Sequence, residues 1–279
     1  MTKKTNTALY WLLAVIITLA AAYYQRKTGP TYSKELNISL DGKNYEIELP
    51  RTHGGDEACP VILEIADNNV QGELIYRKYP TDDKWQTITL NREEDLLTGN
   101  LPHQPPAGKL EYFLKLSTPN EDINLFESNP VVIRFKGAVP LSILLPHIWF
   151  IFAAMLVSNF TGIIAFMKHP KQRIYGKITL IMLFLGGMIF GPLVQFHAFG
   201  EYWTGIPFGW DLTDNKTLIA FLFWILAVAG NWKREKPSLT ILAAVIMLII
   251  FSIPHSMFGS ELDPETGEVI SGMVQLFLF

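Results

Sequence analysis

The character of the chain changes within residues 131–167, which read VVIRFKGAVPLSILLPHIWFIFAAMLVSNFTGIIAFM. At the start of this stretch apolar residues alternate with charged ones, Val131, Ile133 and Phe135 against Arg134 and Lys136. A period of two is typical of a β-strand with one buried face. Residues 141–167 then contain no Asp, Glu, Lys or Arg and exceed the roughly 20 residues that a membrane-spanning helix needs. The stretch therefore predicts a β domain joined directly to a membrane helix.

The same contrast extends through the whole chain of 279 residues. Residues 36–137 mix charged and apolar positions, whereas most of 141–254 is apolar. This asymmetry indicates a soluble module and a membrane module. A net charge of −3, with no basic stripe carrying interleaved aromatics, excludes a generally basic nucleic-acid-binding surface.

Cys59 is the single cysteine of the sequence. It cannot form an internal disulfide and has no Cys-x-x-Cys partner, which excludes a zinc knuckle and a thioredoxin-like redox motif. We interpret Cys59 as a small buried hydrophobe, with a reactive thiol as the alternative.

Five apolar runs are candidate membrane spans, at residues 9–24, 141–167, 178–196, about 217–232 and 239–254. Three of them are somewhat short, and aromatic residues at their ends extend them into the membrane interface. Loop charges give the orientation. The segments 168–177 and 231–237 are basic, and acidic residues lie in the 197–214 loop and in the C-terminal tail.

The positive-inside rule places the two basic loops and the N-terminus in the cytoplasm. The β domain, the 197–214 loop and the C-terminus are then periplasmic, in a bacterial inner membrane. Arg26 and Lys27, just outside the first span, disagree with the rule. The first span also has features of a cleaved signal peptide; we favour an uncleaved anchor, and both readings export the β domain.

The predicted fold class is α+β, with an antiparallel β-sandwich between an N-terminal transmembrane helix and a four-helix transmembrane bundle. Alternation recurs along 45–49, 110–116 and 131–136, and turn signals include Asp41-Gly42 and Pro105 to Gly108. The predicted domains are an anchor at 1–30, the sandwich at 31–138, four transmembrane helices at 139–256, and a tail with a hairpin turn at 257–279.

Within this domain, residues 73–90 read ELIYRKYPTDDKWQTITL and residues 106–116 read PAGKLEYFLKL. The first stretch resembles the middle strand pair of a fibronectin type III domain, and the second, with Tyr112, is similar to the tyrosine-corner strand of that family. Residues 127–135 would form its last strand. The resemblance implies an immunoglobulin-like sandwich that serves as an interaction or spacer module.

The candidate ligands for haem or a transition metal are His147, His197 and His255. The predicted topology places all three near the outer face, where they could hold a b-type haem, or copper or zinc together with Glu201, Asp211 or Met257. The alternatives are interfacial histidines that bind helix-end carbonyls, and a proton relay. No local motif fixes their geometry.

The segment 196–210 is rich in aromatic residues and interrupted by glycines. It predicts either an aromatic belt at the membrane interface or an outer-face pocket, with candidate residues Phe199, Glu201, Tyr202, Trp203, Trp210 and Asp211. We expect Thr213 or Asp214 to cap the following helix. Gly187 and Gly191 predict close helix packing within this subunit, with dimerisation as the alternative.

No motif of a common enzyme class is present, so the sequence does not favour an enzyme. The first functional hypothesis is an envelope interaction or complex-assembly subunit, with the lipid bilayer and a periplasmic protein as its partners. The alternative is a haem- or metal-binding redox subunit. A transporter is third, because the predicted spans lack buried charged residues.

Overall fold

A computed structural model describes residues 7–254, 260–263, 266–267 and 269–271. This part of the chain combines helices and several β-sheets in a mixed α+β fold. His255 and Met257, two of the predicted metal ligands, lie outside the described residues.

Helix α1 covers Thr7–Lys27, and eleven strands follow it. Their bounds are β1 Lys34–Leu40, β2 Lys43–Leu49, β3 Thr52–Gly54, β4 Cys59–Glu64, β5 Gln71–Lys78, β6 Gln86–Thr89, β7 Asn91–Glu93, β8 Leu96–Leu101, β9 Lys109–Ser117, β10 Asp122–Leu125 and β11 Val131–Lys136. One sheet has the order β3-β11-β9-β5-β6 with β10 also paired to β9, another has the order β4-β8-β7, and β1 pairs with β2. The pairings are antiparallel except that of β3 with β11.

One apolar core joins these sheets, because alternate residues of most strands point into it. On β9, for example, Leu110, Tyr112, Leu114 and Leu116 are all buried. Asp41 and Gly42 both have positive φ, at 47° and 75°, and form the predicted tight turn between β1 and β2. Cys59 is buried in this core.

Tyr112 departs from the tyrosine-corner resemblance. Its hydroxyl donates to the Pro50 carbonyl at 2.8 Å, far back in the chain, whereas a tyrosine corner closes on backbone a few residues upstream. The bond connects β9 to the segment between β2 and β3.

Four further helices follow the strands: α2 at Leu141–Phe166, α3 at Gln172–Phe199, α4 at Leu212–Gly230 and α5 at Pro237–Ser252. Among the described residues, α1 to α4 are long and apolar enough to cross a membrane. The predicted fifth span corresponds to α5, which is apolar but has 16 residues. At 1.5 Å per residue it is about 24 Å long, short of the roughly 30 Å hydrocarbon core.

Helix α3 contains an irregular segment. Residues Phe184–Phe190 form a π-helical turn between two α-helical parts, and Pro192 follows it. Proline has no N–H to donate, so the helix cannot continue a regular hydrogen-bond ladder there. Gly186 and Gly187 lie in this turn and let neighbouring helices approach closely: a Cβ on Gly186 would lie 2.9 Å from Cβ of Phe150.

The helices pack around Trp224 of α4, whose indole N–H donates to the Met247 sulfur of α5 at 3.2 Å. A buried polar network fastens the end of this bundle that is remote from the β domain. It links Gln172, Asn231 and Thr240 by hydrogen bonds of 2.6 to 3.2 Å, so that α3, α4 and α5 are connected there.

The β domain contacts the opposite ends of the helices directly. The Gly137 amide donates to the Ala198 carbonyl at the end of α3 at 3.0 Å. The C-terminal segment pairs Ser260–Leu262 with Val269–Ser271, and in it Glu261 forms an ion pair with Lys109 of β9. These contacts hold strand ends and helix ends together around a junction.

Candidate functional site

A cavity of about 260 Å³ lies at this junction. Strand β11 and all of the helices α2 to α5 contribute side chains to its wall. Its polar part includes Arg134, Lys136, Gln195, Asp211 and Asp214, and its apolar part includes Ile151, Val194, Phe199 and Phe251. The cavity thus belongs to both modules, and we call it the junction cavity.

The basic part of the wall comes from the end of β11. Arg134 is 6% exposed, and its guanidinium carbon lies 4.1 Å from the ring centre of Phe199. This distance allows a cation–π interaction. Burial lowers the pKa of Arg134 to about 10, while the negative charges of Asp211 and Glu261 oppose that shift. Arg134 therefore stays charged at neutral pH.

Lys136 lies two residues further along the same strand face. Burial and the neighbouring charge of Arg134 lower its pKa to about 8. The Lys136 carbonyl accepts from the Gly55 amide at 3.0 Å, but among the described residues its side chain forms no hydrogen bond and no ion pair. Its ammonium is therefore a desolvated charge beside a like charge, an arrangement that costs free energy.

Arg134 and Lys136 lie on the strand face that the alternation leaves outside the apolar core, yet Arg134 is buried and Lys136 is half-buried. The alternation itself is present, but the helix ends cover the strand face that the pattern assigns to water. The covering residues are distant in sequence, so a strand pattern cannot reveal them.

The acidic part of the wall comes from the start of α4. Asp211 is the N-cap, and one of its oxygens accepts from Thr213 N at 2.7 Å and from Asp214 N at 3.2 Å. The expectation that Thr213 or Asp214 caps this helix is therefore wrong. Asp211 satisfies helix-start N–H groups that would otherwise lack partners.

Asp214 folds the preceding loop. It accepts from the amides of Thr204 at 2.7 Å and Gly205 at 3.1 Å. Gln195 of α3 donates to the Thr204 hydroxyl at 2.7 Å and connects the loop to its neighbour. Both cavity carboxylates are thus engaged by backbone N–H groups, a role that shapes the wall.

A buried lysine lies close to the cavity in α4. Lys216 donates to the carbonyls of Ile253 at 2.8 Å and Pro254 at 3.2 Å, at the end of α5. Asp214 and Lys216 are both buried within α4. The predicted span at about 217–232 contains no charged residue, but α4 begins earlier, at Leu212, and its first turns add these two buried charges.

His147 is the one predicted histidine that lines the cavity among the described residues. Its Nδ1 lies 2.9 Å from the carbonyl oxygen of Gly186 in the π-helical turn. A carbonyl only accepts, so Nδ1 carries the proton and Nε2 is left for a ligand. Gly191 lies beside the His147 ring, and Gly187 lies against Thr217 of α4.

The other candidate residues do not form a single site. Phe199 and Asp211 line the cavity, whereas Glu201, Tyr202 and Trp210 are exposed. Trp203 is half-buried and donates to the Ile206 carbonyl at 3.1 Å. His197 is half-buried beside Phe196, on which Tyr202 stacks. The aromatic segment therefore divides between the cavity wall and an exposed surface.

No group of three or more His, Cys, Asp or Glu residues that could hold a metal ion occurs in the described part of the chain. Haem or metal binding through His147, His197 and His255 has no support from this geometry and stays a prediction.

The residues that sequence reasoning missed are mainly Arg134 and Lys136. One signal points to them: two cations stand just before a predicted span on its outer side, where the positive-inside rule disfavours them. Gln195 carries no such signal, because an isolated amide in a helix has many structural uses.

No protein-family model matches this sequence, and no curated protein matches it.

Proposed function

We propose that the chain is a multi-pass protein of a bacterial inner membrane, with a fibronectin type III-like domain and the C-terminus in the periplasm and the N-terminus in the cytoplasm. Four helices of sufficient length and the basic loops at 168–177 and 231–237 support this proposal. Helix α5 crosses as the fifth span: Ala243, Met247 and Phe251 are buried in the bundle core, and local bilayer thinning accommodates its short length.

In this membrane the protein acts as an envelope interaction or complex-assembly subunit whose recognition site is the junction cavity. The observation that carries this proposal is that β11 and the helices α2 to α5 build one cavity together. A molecule bound there contacts both modules and stabilises their mutual orientation, because it binds only the assembled junction. Its occupancy therefore controls how the β domain is presented to a partner protein.

The test fills the cavity. Val194→Phe adds a ring at the cavity wall, and Ile181→Phe makes the same kind of change at an exposed position of the same helix. Native mass spectrometry of the full-length proteins, extracted in mild detergent, measures bound molecules and subunits. We expect the wild type and Ile181→Phe to carry a bound molecule or partner subunit at a whole-number stoichiometry. Val194→Phe should lose it.

Val194→Leu provides a smaller increase in volume if phenylalanine prevents folding. The proposal is wrong if the wild type carries no ligand and no partner, or if folded Val194 variants retain both unchanged. An absorbance spectrum of the same samples tests the redox alternative, which requires a haem band or a stoichiometric metal.

A further inference from the structure

The charged side chains around the junction cavity differ in how many polar partners they have. Asp211 and Asp214 accept hydrogen bonds from backbone N–H groups, and Lys216 donates to two carbonyls. Arg134 stacks on Phe199 and is favoured in its charged form by Asp211 and Glu261. Lys136 is the exception: in the described part of the chain its side chain has no hydrogen bond or ion pair, and the neighbouring charge that lowers its pKa is the like charge of Arg134.

This arrangement favours a bound anion at one end of the cavity. A pair of cations on one strand face, partly removed from water, is stabilised when an anion lies between them. Arg offers a planar fork that suits phosphate and carboxylate, and Lys adds a compact point charge. Among the described residues no carboxylate forms an ion pair with Lys136, and Asp211 and Asp214 are engaged by backbone N–H groups.

The size and lining of the cavity define the ligand further. A volume of about 260 Å³ exceeds the roughly 150 Å³ cavity that holds a benzene molecule. It admits a phosphate group together with part of the molecule that carries it. Ile151, Val194 and Phe251 provide an apolar side. Arg134 and Lys136 lie just ahead of α2, at the level of the helix ends, which is where lipid phosphates lie in a bilayer.

From this geometry we infer that the junction cavity binds a phosphate group through Arg134 and Lys136, carried either by a lipid headgroup or by a small soluble phosphate ester. This inference rests on the proposed function, because it specifies the chemistry that the recognition site selects.

The experiment compares two sources of phosphate on the full-length protein. One arm uses lipid-free detergent with inorganic phosphate or glycerol phosphate as the probe. The other uses mixed micelles of the same detergent with phosphatidylglycerol, and replaces this lipid by diacylglycerol as the phosphate-free control. Native mass spectrometry and the shift in thermal midpoint report binding in both arms.

Lys136→Gln is the decisive variant, and Lys84→Gln is its control because it removes the same charge at an exposed position. We expect Lys136→Gln to weaken binding about tenfold or more, as expected for the loss of a hydrogen bond from a charged donor. Lys136→Arg and Lys84→Gln should bind as the wild type does. Without phosphate, Lys136→Gln should be at least as stable as the wild type, which separates lost binding from misfolding.

Binding in the first arm identifies a soluble ester as the source, and binding only with phosphatidylglycerol identifies a lipid. The inference is overturned if neither arm shows binding, or if Lys136→Gln binds as tightly as Lys84→Gln. A third outcome is that the cavity holds a different molecule, which is lost in Val194→Phe but retained in Lys136→Gln. That result would overturn the phosphate inference alone. The proposed function would survive that result.

Discussion

At the scale of single residues, the charge of Lys136 at the junction lowers the stability of the folded protein. Its pKa of about 8 lies below the usual value of 10.5 because burial and Arg134 disfavour the ammonium. Between these two pH values the unfolded chain binds more protons than the folded chain. Stability therefore rises with pH in that window, because the folded state loses the positive charge of a half-buried side chain.

The first prediction concerns this pH dependence. Raising the pH from 7.5 to 9.5 should reduce the destabilisation caused by Lys136 by about 1–2 kcal/mol, as a shift of this size implies. The measurement is the free energy of unfolding of the wild type minus that of Lys136→Gln, in phosphate-free detergent buffer. Asp211, Asp214, His147 and Arg134 are common to both proteins and cancel. A difference that is constant with pH would contradict the assignment.

Leu90 determines the packing between the two main sheets. It is 6% exposed, and its methyl groups occupy the space that a Cβ on Gly72 or on Gly99 would require. The glycines therefore serve packing here, since each is the only residue small enough to accept Leu90.

The second prediction is a double-mutant cycle at this contact. Leu90→Ala should destabilise the protein by about 2–5 kcal/mol through lost packing and a cavity. Gly99→Ala should also destabilise the wild type, by steric overlap with Leu90. In the Leu90→Ala background the added methyl group fills part of the cavity, so it should be neutral or stabilising. Additive effects in thermal or denaturant unfolding would show that the two residues do not compete for space.

At the scale of secondary-structure elements, the π-helical turn of α3 brings this helix close to α2. A Cβ on Gly186 would lie 3.0 Å from the Ile151 backbone nitrogen, which cannot move aside as a side chain can. A Cβ on Gly191 would meet only ordinary contacts, at 3.5 Å from the Gly186 oxygen and 3.8 Å from the His147 ring. The close approach is thus concentrated in the π-helical turn.

The third prediction compares two alanine substitutions in α3. Gly186→Ala should lower the free energy of unfolding by about 1–3 kcal/mol, because α2 and α3 must separate. Gly191→Ala has the same helix propensity gain without the clash, so it should be neutral or stabilising by up to about 1 kcal/mol. Thermal unfolding in detergent distinguishes them. Equal effects of the two substitutions would argue against a tight contact at the π-helical turn.

At the scale of the whole molecule, the proposed topology can be tested with the native cysteine left in place. Cys59 is 2% exposed, and burial raises the pKa of its thiol to about 11. Because the thiolate is the reactive form, this residue should not react with a maleimide in the folded protein.

The fourth prediction uses single added cysteines at exposed positions. In intact spheroplasts a membrane-impermeant maleimide should label Lys84→Cys in the β domain and Thr266→Cys in the tail. It should label Arg234→Cys only after the membrane is permeabilised, because the 231–237 loop is proposed to be cytoplasmic. Labelling of Arg234→Cys in intact spheroplasts, or protection of Lys84→Cys from labelling, would show that the protein has the opposite orientation in the membrane. If Lys84→Cys and Thr266→Cys were labelled from different sides of the membrane, the β domain and the tail could not meet at the junction.

The sequence by itself determined features that depend on neighbours along the chain. These are the apolar helices, the alternating strands, the Asp41-Gly42 turn and the burial of Cys59. Helix and strand periodicities and turn chemistry are local properties, so they can be read directly from residue order.

Only the tertiary structure decided which polar residues lose water. Arg134 and Lys136 resemble solvent-facing strand residues until the ends of α3 and α4 cover them, and His147 becomes a cavity residue only because α3 presents the Gly186 carbonyl. Burial of a charge depends on segments that are distant in sequence, and no local pattern encodes that approach. The combination of apolar helices with a β domain could therefore be predicted from the sequence, whereas the junction cavity could not.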